Sequence, residues 1–123
     1  MVTASADILR AARRAATLLS EHKAQDVVML DLRPVTDMAD FFILASGTSD
    51  THVRSTANLV MEALRKEGVP VTSVEGLEQG RWVLLDYVDF VVHVFHPTLR
   101  NFYQIERLWA DAQVVPVIAD GAR

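Results

Sequence analysis

The stretch Glu75-Gly-Leu-Glu-Gln-Gly-Arg-Trp-Val-Leu-Leu-Asp-Tyr-Val-Asp-Phe-Val-Val-His-Val-Phe-His-Pro97 decides the fold. It holds two apolar runs, Trp82 to Leu85 and Phe90 to Phe95, with Asp86 and Asp89 in the break between them. Short runs rich in valine and aromatics, bounded by turn residues, predict two adjacent strands of a well-covered sheet. Few residues separate them, so the pair is expected to form an antiparallel hairpin. A carboxylate is costly to bury without a partner. Asp86 and Asp89 are therefore expected at an exposed strand end or tight turn, within reach of a ligand or partner.

Upstream, Val53, Ala57, Val60, Met61 and Leu64 recur at helical spacing, with Arg54, Asn58, Glu62 and Arg65 opposite them. Thr48 or Ser49 can cap this helix and Asp50 complements its dipole. Gly68 suits its left-handed end, with Pro70 just beyond. An earlier helix is predicted over Ala6 to His22, from the spacing of Ile8, Ala11, Ala12, Ala15, Leu18 and Leu19. Strands are predicted at Val27–Leu32, Phe41–Ala45 and Val69–Val74. Short helical segments are expected from Pro97 and over Ile105–Ala112. The order predicts a single α/β domain with a mixed five-stranded sheet and helices mainly on one face. Phe41–Ala45, the second helix and Val69–Val74 read as a right-handed βαβ unit. The domain is expected to span residues 1–112, with 113–123 as a C-terminal tail.

A chain of 123 residues fits one domain and can bury roughly two-thirds of its unfolded surface. There is no cysteine, which excludes disulfides, thiolate zinc sites and thiol nucleophiles. The net charge of −4 disfavours extensive phosphate contact and so predicts little direct nucleic-acid binding. Asp7, Arg10, Arg13 and Arg14 interrupt the apolar residues near the N-terminus. No run there has the length of a signal peptide or membrane span, so a cytoplasmic location is expected.

Four constellations bear on chemistry. Gly47-Thr48-Ser49 before a helix suggests an anion site, but it lacks the lysine and glycine spacing of a phosphate loop, and capping alone accounts for it. Asp86, Asp89, His93 and His96 have metal-ligand chemistry, yet strand alternation splits them between faces and ends. Turn formation explains the two carboxylates better. No serine or threonine stands in a nucleophile context. Neither catalytic residues nor a metal or cofactor site are therefore assigned. Fourth, Trp82, Leu84 and Asp86 alternate with Val83, Leu85 and Tyr87. Rimmed by Glu75, Glu78 and Asp89, the first set suits a basic protein partner. Trp82 fits a core role equally well. A further cluster, Tyr103, Glu106, Arg107 and Trp109, is expected to dock its apolar side on the core.

The motifs Ala45-Ser-Gly-Thr-Ser-Asp50, Val74-Glu-Gly-Leu-Glu78, Trp82-Val-Leu-Leu-Asp-Tyr87, Asp89-Phe-Val-Val-His-Val-Phe-His-Pro97 and Glu106-Arg-Leu-Trp109 occur in this order. Together they resemble the ribosomal silencing factor, or Iojap-like, family. The resemblance runs from the first helix to Trp109. It implies a nucleotidyltransferase-like fold without transferase activity. It implies binding to large-subunit ribosomal protein L-fourteen on the large ribosomal subunit, steric blocking of small-subunit joining, and repression of translation. It also implies a homodimer when free. The expected partner-binding residues are Glu75, Trp82, Leu84, Asp86, Tyr87 and Asp89. Many relatives carry glycine where this chain has Val88. A β-branched residue resists positive φ, so another bend geometry is expected. The competing expectation is an enzyme that holds nucleotide at Gly47–Ser49 and metal at Asp86 and Asp89.

Overall fold

The computed structural model describes residues 3–100 and 113–115. The chain order is α1 (Thr3–Glu21), β1 (Gln25–Asp31), β2 (Phe41–Ser46), α2 (Asp50–Lys66), β3 (Ser73–Glu75), β4 (Trp82–Asp86), β5 (Phe90–Phe95), α3 (Pro97–Arg100) and β6 (Gln113–Val115). The expected segment Ile105–Ala112 and the cluster around Trp109 lie outside the described residues.

The strands form one mixed sheet in the order β3-β4-β5-β2-β1-β6. It has six strands rather than the expected five. The sixth, Gln113–Val115, pairs antiparallel with β1, Leu30 facing Val114. A short valine-containing segment can satisfy the open hydrogen-bonding edge of β1 even though it lies in a stretch expected to be tail.

β4 and β5 form the expected antiparallel hairpin, with Leu84 opposite His93 and Asp86 opposite Val91. The βαβ expectation needs correction. β2 pairs parallel with β5, while β3 pairs antiparallel with β4 at the sheet edge. Two strands thus separate β2 from β3. Every residue of β2 is buried, and Val92 to Phe95 of β5 are buried as well. Such runs belong at the centre, whereas Ser73 and Glu75 are exposed and suit an edge.

The helices α1 and α2 cover one face. Ala12, Ala15, Ala16 and Leu19 of α1 and Val53, Ala57, Val60 and Leu64 of α2 meet Met29, Ile43, Val83, Leu85, Val92 and Val94 from the sheet. Each fully buried valine or leucine there contributes about 2 kcal/mol. Ser49 caps α2, its Oγ accepting the His52 N–H at 3.1 Å. At the other end Gly68 takes φ 89°. Val69 N–H donates to Leu64 O at 2.8 Å and Gly68 N–H to Arg65 O at 3.0 Å, a Schellman closure.

The opposite, outer face carries Val28, Leu30, Phe42, Leu44, Val91 and Phe95, with Leu99 of α3 packed against them. Single-residue alternation separates this set from the helix-covered one.

The β4–β5 turn overturns the expectation for Val88. Its φ is 74°, in the region β-branched residues avoid. Asp89 N–H donates to Tyr87 O at 2.9 Å, making a tight three-residue turn of the strained kind. The Asp86 carboxylate accepts the Val88 N–H at 2.8 Å, and Tyr87 N–H donates to Phe90 O at 2.9 Å. Hairpin closure therefore overrides the local preference. Val88 is 58% exposed, so its side chain returns little packing energy. Val88→Gly should raise stability by about 1 kcal/mol through relief of this strain. A urea melt showing no gain, or a loss, would contradict that account of the turn.

Candidate docking face

The hairpin places the expected partner-binding residues by parity. Trp82, Leu84 and Asp86 point to the outer face. Glu75 joins them because it stands opposite Leu84. Asp89 is exposed in the turn. Tyr87 is not brought to this group. It is buried on the helix side and stacks on Phe90 with ring centroids 4.7 Å apart. Burial pushes its pKa up to about 12, and its hydroxyl has no hydrogen-bond partner among the described residues.

Trp82 is 41% exposed, neither core nor free. Its indole tilts against Phe95 at 5.3 Å, and its Nε1–H donates to His93 Nδ1 at 3.2 Å. It is an aromatic ring held on a surface, with one side available to a partner.

Beside it lies a shallow groove of about 390 Å³, lined by Met38, Ala39, Phe42, Leu84, Asp86, Val88, Val91 and His93. Its rim brings together segments distant in sequence. Asp40 N–H donates to Asp89 O at 2.7 Å, so the loop between β1 and β2 is tied to the β4–β5 turn. This contact sets Met38, 69% exposed, near Val88. Asp86 is the carboxylate that lines the groove itself, while Asp37, Asp40 and Asp89 belong to the same two loops, which also carry Arg33. Apolar floor and acidic rim together favour an apolar side chain flanked by lysine or arginine.

Met38, Phe42, Val88, Val91 and His93 were not among the residues expected from sequence. The signal for His93 and Val91 was the strand register, since they face Leu84 and Asp86. Met38 sits in an irregular loop with no periodicity to mark it.

Gly47–Ser49 lies at the other end of the sheet. Ser46 pairs with Phe95 and Phe41 with Phe90, so the Gly47 loop and the Asp86–Asp89 turn are about one strand length, roughly 20 Å, apart. The donors at the start of α2 are also engaged. Thr48 N–H donates to His52 Nδ1 at 2.9 Å, and Val53 N–H donates to Ser49 O at 2.9 Å. A Cβ on Gly47 would lie 2.7 Å from Val53 Cγ2, so close loop–helix packing explains the glycine. Among the described residues no group of three or more histidine, aspartate or glutamate side chains is placed to hold a metal ion. No helix among them is long and apolar enough to cross a membrane.

Known proteins share this fold. A crystal structure of a protein from Chromobacterium violaceum superposes with a TM-score of 0.80 at 38% identity, covering 84% of this chain and 86% of that one. One from Bacillus halodurans gives 0.74 at 34% identity, covering 89% and 97%. The ribosomal silencing factor RsfS of Bacillus subtilis is 38% identical over 98 residues, 80% of this chain and 83% of that protein. The same-named protein of Chromobacterium violaceum is 37% identical over 116 residues, 94% and 93%. A mouse protein named mitochondrial assembly of ribosomal large subunit protein 1 is 26% identical over 111 residues, with only 49% of its length covered. The family model described as ribosomal silencing factor during starvation matches residues 5–122. With a family match over nearly its whole length, the chain belongs to the ribosomal silencing factor family.

Proposed function

We propose that the chain binds the large ribosomal subunit through ribosomal protein L-fourteen and blocks joining of the small subunit by occupying its place. The reading rests on family membership together with one structural observation. The outer face combines a half-exposed tryptophan, an apolar groove and an acidic rim. Trp82 and Leu84 supply apolar contact. Glu75, Asp86 and Asp89 meet basic side chains. Tyr87, just past β4 and buried on the helix side, supports the turn without reaching the partner.

The mechanism is steric and needs no catalysis. A 13.7 kDa domain seated at the subunit interface excludes whatever would pack there. Its efficacy is then set by affinity and residence time on the large subunit. A nucleotidyltransferase-like fold, a homodimeric free form and a cytoplasmic location complete this reading. The separation of Gly47–Ser49 from Asp86 and Asp89 favours it over a nucleotide- and metal-dependent enzyme, which needs those groups together.

Co-sedimentation with purified large subunits tests it. The chain should travel with the large subunit and not with the small one. Asp89→Lys should weaken that association roughly tenfold at low salt, with a smaller deficit at high salt, because like charges are brought together and salt screens them. Equal affinity for the variant at low salt would remove the acidic rim from the account.

A further inference from the structure

His93 holds a polar ring where an apolar one would pack. It lies in the middle of β5, between Leu84 on β4 and Leu44 on β2. The residue is 4% exposed, and its ring meets Phe42 edge-on with centroids 4.7 Å apart. Burying polar nitrogens here is unfavourable unless they are paired. Nε2 has no hydrogen-bond partner among the described residues, a cost that an aliphatic side chain would not incur.

The other nitrogen accounts for the choice. Nδ1 accepts the Trp82 Nε1–H at 3.2 Å. An indole nitrogen only donates, so Nδ1 is unprotonated and the neutral ring carries its proton on Nε2. Burial pushes the ring's pKa down to about 4, which keeps that acceptor available at neutral pH. Among the described residues Trp82 is the large exposed aromatic of this face, and its ring neighbours are His93 and Phe95.

We propose that His93 is a positioning residue for docking, acting through Trp82: its Nδ1 fixes the indole in one pose on the outer face before the partner arrives. This rests on the docking role proposed above. An anchor ordered in advance loses less rotamer freedom on binding. The ring also lines the groove, so its effect through Trp82 is separated from any direct contact by the double-mutant cycle.

A double-mutant cycle on the full chain tests this, with purified large subunits as the probe. His93→Phe keeps a ring in the core and removes the acceptor. It should bind about tenfold more weakly, the loss of one ordering hydrogen bond. On top of Trp82→Ala it should cost nothing more, because residues acting as one unit are non-additive. Exchange of the Trp82 indole proton, followed by NMR, should be at least roughly tenfold faster in His93→Phe, as expected for a hydrogen-bonded proton released to solvent. Equal losses from His93→Phe in both backgrounds would show a general structural role and overturn the proposal. So would unchanged indole exchange, or faster exchange with unchanged affinity. If the unaltered chain fails to bind large subunits, the docking reading itself falls, and the positioning role falls with it.

Discussion

Trp82→Ala should weaken binding to the large ribosomal subunit by roughly 30-fold, the effect of losing about 2 kcal/mol from a central aromatic anchor. The expectation follows from placement. The ring is half-exposed, so truncation removes contact area at the surface without opening the helix-side core. It stands at one end of a row that runs to Phe95 across the sheet, beside the acidic groove. Binding loss should therefore come with a nearly unchanged melting temperature. Titration of labelled large subunits measures the first and calorimetry the second. Full affinity in the variant would remove Trp82 from the docking face, and a collapse in stability would place it in the core instead.

Acid should destabilise the fold through His93 by about 3 kcal/mol between pH 6.5 and 4. Burial is the cause: the folded ring titrates at about 4, against an ordinary 6.5. Below pH 6.5 the unfolded chain takes up this proton and the folded chain does not. The unfolded state then binds more protons, so stability falls as pH falls across that window. Above pH 6.5 both forms are neutral and the contribution is fully present. Protonation would also convert Nδ1 from acceptor to donor, opposing the Trp82 Nε1–H that now donates to it. Urea melts in half-unit steps of pH check this when compared with His93→Phe. The variant should lose less stability than the unaltered chain across the window. Parallel curves would show that the ring is not buried as described.

Much of this architecture was legible because it is local. Ser49, Asp50, Gly68 and the apolar spacing of Val53 to Leu64 mark the start, end and inner face of α2. The Trp82–Phe95 stretch carries its own period of two, which assigns Trp82, Leu84 and Asp86 to one face and Val83, Leu85 and Tyr87 to the other. What escaped depends on contacts between distant segments. No residue in Ser73–Glu75 states that its neighbour is β4 rather than β2. That follows only once the more apolar β5 takes the central place beside β2. The strand at Gln113–Val115 is three residues long, and only the open edge of β1 gives it a partner. Val88 takes a conformation that its side chain disfavours, because the hairpin must close and the Asp86 carboxylate holds its N–H. The groove escaped for the same reason. Met38 and Phe42 reach Leu84 and Val91 through the pairing of β2 with β5, and the sequence separates them by more than forty positions.

The role of His93 was visible only in part. Strand alternation set it apart from Val92 and Val94, which suggested a face but no task. The task appears when register brings β4 alongside, with Trp82 beside His93 and Phe95. A histidine and a tryptophan 11 positions apart then become one unit on a surface that two helices leave uncovered.

The most direct test of the account is subunit joining. Purified large and small subunits are mixed with increasing amounts of this protein, and light scattering follows their association. Joining should fall as the protein saturates the large subunit, and Trp82→Ala should require about 30 times more protein for the same effect. Undiminished joining at concentrations that fully occupy the large subunit would contradict it.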